Sequence, residues 1–82
     1  MTDEQILVTL RKAVLGVAPQ LEGKLDHITL DARIDGLGLD SVATMEMVGS
    51  LEDEVNVVFP DEELAKVTHL AHLAALMRGQ RI

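Results

Sequence analysis

The sequence predicts an all-α domain of four helices, three longer and one short, with a long ordered loop between the first two. Apolar residues recur at helical spacing in three separate stretches, and no alternation of apolar and polar residues persists long enough for a strand. The chain length suffices for one domain, predicted over residues 1–82. Because Phe59 is the only aromatic residue, we expect an aliphatic core.

The first helix is predicted over residues 3–16. Thr2 and Gln5 fit a capping box, in which Thr2 caps the helix and the Gln5 side chain reaches back. Gly16 followed by Pro19 is typical of a helix end. The apolar residues at helical spacing between these signals and just after them are Ile6, Leu10, Val14 and Val17.

The connection between the first and second helices, residues 17–40, has no sustained periodicity. A connection this long is uncommon in a compact domain and is usually functional. We expect it to be ordered and to include a short helical turn, because its apolar residues are spaced so that it can pack on the helices. These residues are Leu21, Leu25, Ile28, Leu30, Ile34, Leu37 and Leu39.

The second helix is predicted over Ser41–Val55, with Asp40 as its N-cap. Its core stripe is Thr44, Met47, Val48, Leu51 and Val55. A different face carries Val42, Met45 and Gly49. The acids that flank this face are Glu46, Glu52 and Asp53. The extra face is either the edge of the core stripe or a surface for partner proteins, and its acidic rim favours the second interpretation.

Two further helices are predicted towards the end of the chain. Pro60–Leu64 suggests a short third helix with acids at its positive end. Thr68 is predicted to cap a fourth helix, which ends with Arg78 in its last turn and Gly79 just beyond. The buried stripe of that helix is Leu70, Leu73, Ala74 and Met77.

The charge is acidic and unevenly placed. The formal net charge is −7, and residues 31–63 hold ten acids against one base, Arg33. Such a surface repels phosphates, so we expect neither nucleic acid nor membrane as a partner, but proteins that carry Lys and Arg. The start of the chain lacks the order of a signal peptide, and no apolar run could span a bilayer. We therefore expect a cytoplasmic monomer.

Ser41 follows the glycine-rich stretch Gly36–Asp40 at the start of the acidic helix. A serine nucleophile needs a base within hydrogen-bond reach, and none of the three histidines, His27, His69 and His72, stands in such a context. We therefore predict no catalytic residue and no enzymatic activity. A hydroxyl at a helix N-terminus, where backbone N–H groups favour a phosphate ester, suits an attachment point instead.

No metal site is predicted. The stretch Asp31–Val42 superficially resembles a calcium loop, but Arg33 stands third and Val42 stands twelfth, where oxygen ligands are required. His69 and His72 are three residues apart without a nearby third ligand, which argues against zinc. The chain has no cysteine, which excludes both disulfides and thiolate ligands.

The stretch Leu37–Val42, followed by Met45–Val48 and Leu51–Glu54, resembles the core motif of acyl carrier proteins. Phe59–Leu64 resembles that family's third helix, and Val67–Leu70 resembles the entry to its fourth. The resemblance spans nearly the whole chain at family length. It implies a four-helix bundle without enzymatic activity of its own.

The same resemblance implies that Ser41, beside Asp40, receives 4′-phosphopantetheine from coenzyme A through a magnesium-dependent phosphopantetheinyl transferase. The thiol of this arm would carry acyl groups as thioesters to acyltransferases, ketosynthases or other acyl-processing enzymes with basic docking patches. The pathway would be fatty acid, polyketide or related specialised biosynthesis. The residues that partners would read are Asp40, Val42, Met45, Glu46, Gly49, Glu52 and Asp53.

Three alternatives remain open. An aminoacyl or peptidyl carrier would use the same arm, although aspartate before the serine leans away from it. An unmodified small acidic interaction module would keep the exposed face of the second helix and never use the Ser41 hydroxyl. A small hydrolase would instead require an activated Ser41.

Overall fold

The computed structural model describes residues 1–80 and confirms the all-α prediction. Within these residues there are four α-helices and no strand, and two 3₁₀ segments lie in the connection. The helices are α1 (Asp3–Val17), α2 (Ser41–Val55), α3 (Asp61–Leu64) and α4 (Leu70–Met77), and the 3₁₀ segments are Pro19–His27 and Asp35–Leu37. The predicted domain also includes residues 81 and 82, which lie outside the described residues.

The predicted capping box starts α1. The Gln5 N–H donates to Thr2 Oγ1 at 3.1 Å, and the Thr2 N–H donates to Gln5 Oε1 at 2.9 Å. The predicted end at residue 16 is one residue short, because α1 runs to Val17. Gly16 does not stop the helix; the chain leaves it at Ala18, just before Pro19, which has no N–H to donate.

The connection is ordered, as expected, and contains more helical turn than expected. Its first 3₁₀ segment, Pro19–His27, is kinked at Lys24 and contacts α1. The side chains of Ile28, Ile34 and Leu37 are buried in the core. The other apolar residues predicted to pack down are half-buried against it, namely Leu21, Leu25, Leu30 and Leu39.

Backbone hydrogen bonds hold the connection against the start of α4. The Ile34 N–H donates to the Thr68 carbonyl at 3.0 Å, and the Leu70 N–H donates to the Ala32 carbonyl at 3.0 Å. The Ala71 N–H donates to the Leu30 carbonyl at 2.8 Å. The loop that precedes Ser41 is therefore fixed by the last helix as well as by its own apolar contacts.

The N-cap of α4 is His69, so the prediction of Thr68 as the cap is wrong. The Thr68 carbonyl is engaged by Ile34, and a single antiparallel bridge pairs Arg33 with His69. These contacts keep the chain extended through residue 69 and delay the first helical turn. The predicted end is right, because Gly79 follows the helix in the left-handed region, with φ of 74°.

The core lies where α1, α2 and α4 meet, and it is aliphatic as predicted. Met47, Val48 and Leu51 form the buried part of the predicted α2 stripe, whereas Thr44 and Val55 are only half-buried at its ends. The single aromatic residue, Phe59, lies in the loop between α2 and α3, and its side chain is buried in the core. Among residues 1–80, no helix is long and apolar enough to cross a membrane.

Candidate functional site

Ser41 is the first residue of α2, and its side chain is exposed. Its hydroxyl makes no hydrogen bond to any group within residues 1–80, and neither its own N–H nor that of Val42 has an acceptor there. The next two N–H groups, of Ala43 and Thr44, donate to the side chain and carbonyl of Asp40 at 2.7 and 2.9 Å. Two backbone donors at the positive end of α2 therefore remain beside the hydroxyl, which suits a phosphate ester.

A left-handed residue directs the chain into α2. Gly38 has φ of 78°, a conformation that side chains with a Cβ rarely adopt, and its N–H donates to the Asp35 carbonyl at 3.3 Å. Gly36 has an ordinary φ, and a Cβ built there would lie 3.8 Å from the nearest atom, on Arg33. Of the two glycines singled out in the sequence, only Gly38 is required by the backbone.

A cleft of about 360 Å³ opens beside Ser41. Its apolar side is formed by Leu39, Met45 and Val67, and its polar side includes Arg33 and Thr68. A 4′-phosphopantetheine arm combines methyl and methylene groups with two amides. The mixed character of the cleft matches that of such an arm, and attachment at Ser41 stays a prediction.

The exposed apolar face of α2 is present. The Val42 side chain is 66% exposed and the Met45 side chain is 58% exposed. Neither residue is among the half-buried apolar residues that pack against the core. Glu46 and Asp53 are exposed on the same helix, and Gly49 is half-buried. A partner-docking role for these residues stays a prediction.

Glu52 differs from the other acids of this face. It is half-buried, and its Oε2 accepts a hydrogen bond from the Phe59 N–H at 2.7 Å. Since the two residues are seven apart and belong to different elements, no local pattern could reveal this contact. Glu52 holds the loop between α2 and α3, in addition to any role towards partners.

The histidines do not form a catalytic arrangement with Ser41. His72 Nδ1 accepts hydrogen bonds from the N–H groups of Thr68 and His69, at 3.0 and 3.3 Å. The imidazole rings of His69 and His72 pack edge to face. His27 lies on the connection, in a different cleft. Within residues 1–80 no group of three or more metal-ligating side chains is brought together. His72 thus stabilises the entry to α4, a role that sequence reasoning missed.

Arg33, the lone base of the acidic stretch, pairs with Asp35 through two hydrogen bonds. Its Nε donates to Asp35 Oδ1 at 3.0 Å, and its second nitrogen donates to Oδ2 at 3.2 Å. The hydrogen bond to Asp35 raises the pKa of Arg33, and the same contact lowers the pKa of Asp35. Both groups are therefore charged at neutral pH, and the guanidinium is held at the edge of the cleft beside Ser41.

Residues 5–77 match the family model described as the phosphopantetheine attachment site. The chain is 38% identical to an acyl carrier protein of an Exiguobacterium species, strain AT1b, over 92% of each chain. The chain belongs to the acyl carrier protein family. It is also 33% identical to the acyl carrier protein of Exiguobacterium sibiricum, over 98% of this chain and 99% of that one. An acyl carrier protein homolog of Ureaplasma parvum is 27% identical over 80% and 86% of the two chains.

Membership of this family confirms the predicted carrier function, the predicted cofactor and the predicted lack of enzymatic activity. Acyl carrier proteins carry acyl groups on covalently attached 4′-phosphopantetheine and are not enzymes. They interact with a transferase and with acyl-processing enzymes. No solved structure gives a significant match to the chain.

Proposed function

We propose that Ser41 is the residue to which 4′-phosphopantetheine is attached in this carrier. The observation that carries the proposal is the exposed hydroxyl at the start of α2, with two backbone N–H donors beside it and a cleft next to it. The helix N-terminus stabilises the negative phosphodiester. Asp40 caps α2 and stands next to the serine, where it can help to hold the divalent ion of the transferase.

Partner enzymes dock on the exposed face of α2. Val42 and Met45 supply apolar contact, and Glu46 and Asp53 supply charge at the rim, with Gly49 between them. Basic patches on a phosphopantetheinyl transferase, an acyltransferase or a ketosynthase complement this surface. Charge complementarity of this kind speeds encounter more than it tightens binding, which suits a carrier that visits several enzymes.

The carrier acts as a cytoplasmic monomer in fatty acid, polyketide or related specialised biosynthesis. The acidic surface supports the monomeric state, because like charges keep copies of the chain apart. The mass of the acyl species carried in the source cells would identify the pathway. An aminoacyl or peptidyl load in that measurement would contradict the acyl assignment.

The attachment site is tested with two variants, because the chain has only two serines, Ser41 and Ser50. The protein is incubated with coenzyme A, magnesium and a broad-specificity phosphopantetheinyl transferase, and its intact mass is recorded. Wild type and Ser50→Ala should each gain one phosphopantetheine, and Ser41→Ala should gain none. A gain that survives Ser41→Ala, or no gain in the wild type, would overturn the proposal.

A further inference from the structure

A second cleft, of about 540 Å³, lies where the first 3₁₀ segment faces the end of the connection. We call it the basic cleft. Its apolar floor includes Leu21, Ile28 and Leu37. An apolar floor of this kind can accept methylene groups, since removing them from water is favourable.

The walls of the basic cleft carry Lys24, His27 and Arg33. Among residues 1–80 no Asp or Glu lines it, although Asp35 pairs with Arg33 at its wall and the chain as a whole has a net charge of −7. Arg33 is held in place by Asp35, whereas Lys24 forms no ion pair with any group in residues 1–80. The cleft therefore presents the Lys24 ammonium, and the Arg33 N–H groups that Asp35 does not engage, above an apolar floor on an acidic protein.

The basic cleft is close to Ser41 along the chain. Gly38 lines it and precedes Ser41 by three residues, so their Cα atoms are at most about 11 Å apart. Arg33 lines both this cleft and the one beside Ser41. An arm of about 14 bonds from the Ser41 oxygen to the thiol spans roughly 16 Å if it extends like a peptide chain. A group on the thiol can therefore reach the basic cleft.

We propose that the basic cleft binds acyl groups that end in a carboxylate while they are carried on the arm. This inference rests on the proposed attachment at Ser41. The floor takes the methylene groups. Lys24 and the Arg33 N–H groups that Asp35 does not engage take the distal carboxylate through charge-assisted hydrogen bonds. An acyl chain that ends in a methyl group would cover the Lys24 ammonium without pairing it, which is unfavourable.

The experiment compares two loads of equal length. The transferase loads the protein with adipoyl or with hexanoyl phosphopantetheine, and intact mass establishes that each product has formed. Backbone amide shifts are then measured by ¹H–¹⁵N NMR. The adipoyl load should shift the amides of Lys24, His27, Leu37 and Gly38 relative to the unacylated arm, and the hexanoyl load should shift them much less. Equal shifts for the two loads would overturn the inference.

Variants separate charge recognition from general proximity. Lys24→Gln and Arg33→Gln should each lose most of the difference between the two loads. Lys12→Gln should retain it, because Lys12 pairs with Glu54 and lines neither cleft. Persistence of the full difference in Lys24→Gln, whose exposed side chain has no structural partner, would contradict the proposal. Failure to load at all would instead count against attachment at Ser41, so the two failures are distinguishable.

Discussion

Asp40 has a structural role that is separable from its position beside Ser41. Its carboxylate accepts the Ala43 N–H and so satisfies one of the donors that α2 leaves unpaired at its start. Loss of an N-cap typically costs about 1 kcal/mol. The residue therefore matters to the carrier even before a transferase approaches.

Replacing Asp40 should accordingly affect stability in a graded manner. Asp40→Ala should lower the free energy of unfolding by about 1 kcal/mol, whereas Asp40→Asn should stay close to wild type because asparagine also caps helices. Urea denaturation followed by circular dichroism measures both variants. Equal stability of Asp40→Ala and wild type would show that the hydrogen bond to Ala43 contributes nothing.

The need for glycine at position 38 can be tested by comparing the substitution there with the same substitution at Gly36. Gly38→Ala places a Cβ at a positive φ and should destabilise the protein by roughly 1–2 kcal/mol. Gly36→Ala should be neutral or slightly stabilising, because its φ is ordinary and the added methyl meets no close contact. Thermal unfolding of the two variants provides the comparison. If both variants unfold alike, the left-handed turn is not what requires glycine there.

At the scale of elements, predictions succeeded where the signals were local. The starts of α1 and α2 are set by the caps Thr2 and Asp40, which bond N–H groups three residues along the chain, and the sequence pattern predicts both. The sequence pattern does not predict the start of α4, because that start depends on the bridge between Arg33 and His69, which are 36 positions apart. The connection was expected to be ordered, but its 3₁₀ turns depend on packing against α1 and could not be placed.

The α2 surface yields a prediction in which two acids behave differently. Glu46→Lys should slow modification by the transferase without changing stability, because the residue is exposed and off the core stripe. Glu52→Lys should slow it too, but should also destabilise the protein by about 1.5 kcal/mol through loss of the bond to Phe59. Modification rates by mass spectrometry and urea midpoints measure the two effects.

A matched control removes the effect of net charge alone. Glu22→Lys makes the same charge change on the exposed first 3₁₀ segment, away from α2. Its modification rate should stay nearer to that of wild type than the rate of Glu46→Lys. If Glu22→Lys and Glu46→Lys slow the transferase equally, the acidic face of α2 has no special part in docking.

For the whole molecule, the excess of acids should make stability depend on ionic strength. The net charge of −7 favours expansion, and raising salt from about 0.01 to about 0.15 M shortens the screening length from about 30 to about 8 Å. A gain of about 1 kcal/mol in the free energy of unfolding would raise the melting temperature of a domain this small by about 4–8 °C. Calorimetry in NaCl measures this, and an unchanged melting temperature would contradict it.

The candidate site as a whole was only partly visible in the sequence. Ser41 and Asp40 are adjacent and lie in a motif, so their positions followed from the pattern. The basic cleft gathers Lys24, His27 and Arg33 from the connection by folding it back on itself. Sequence periodicity does not predict that these three residues lie together, because they belong to no regular helix face.

The pairing of the connection with the start of α4 has a consequence during synthesis. Three of the backbone hydrogen bonds that hold the connection before Ser41 are made with residues 68–71. At translation rates of about 5–20 residues per second, residues 68–71 follow Ser41 by roughly 1.4–6 seconds. If a transferase recognises this loop in its hydrogen-bonded form, attachment at Ser41 would follow the synthesis of residues 68–71.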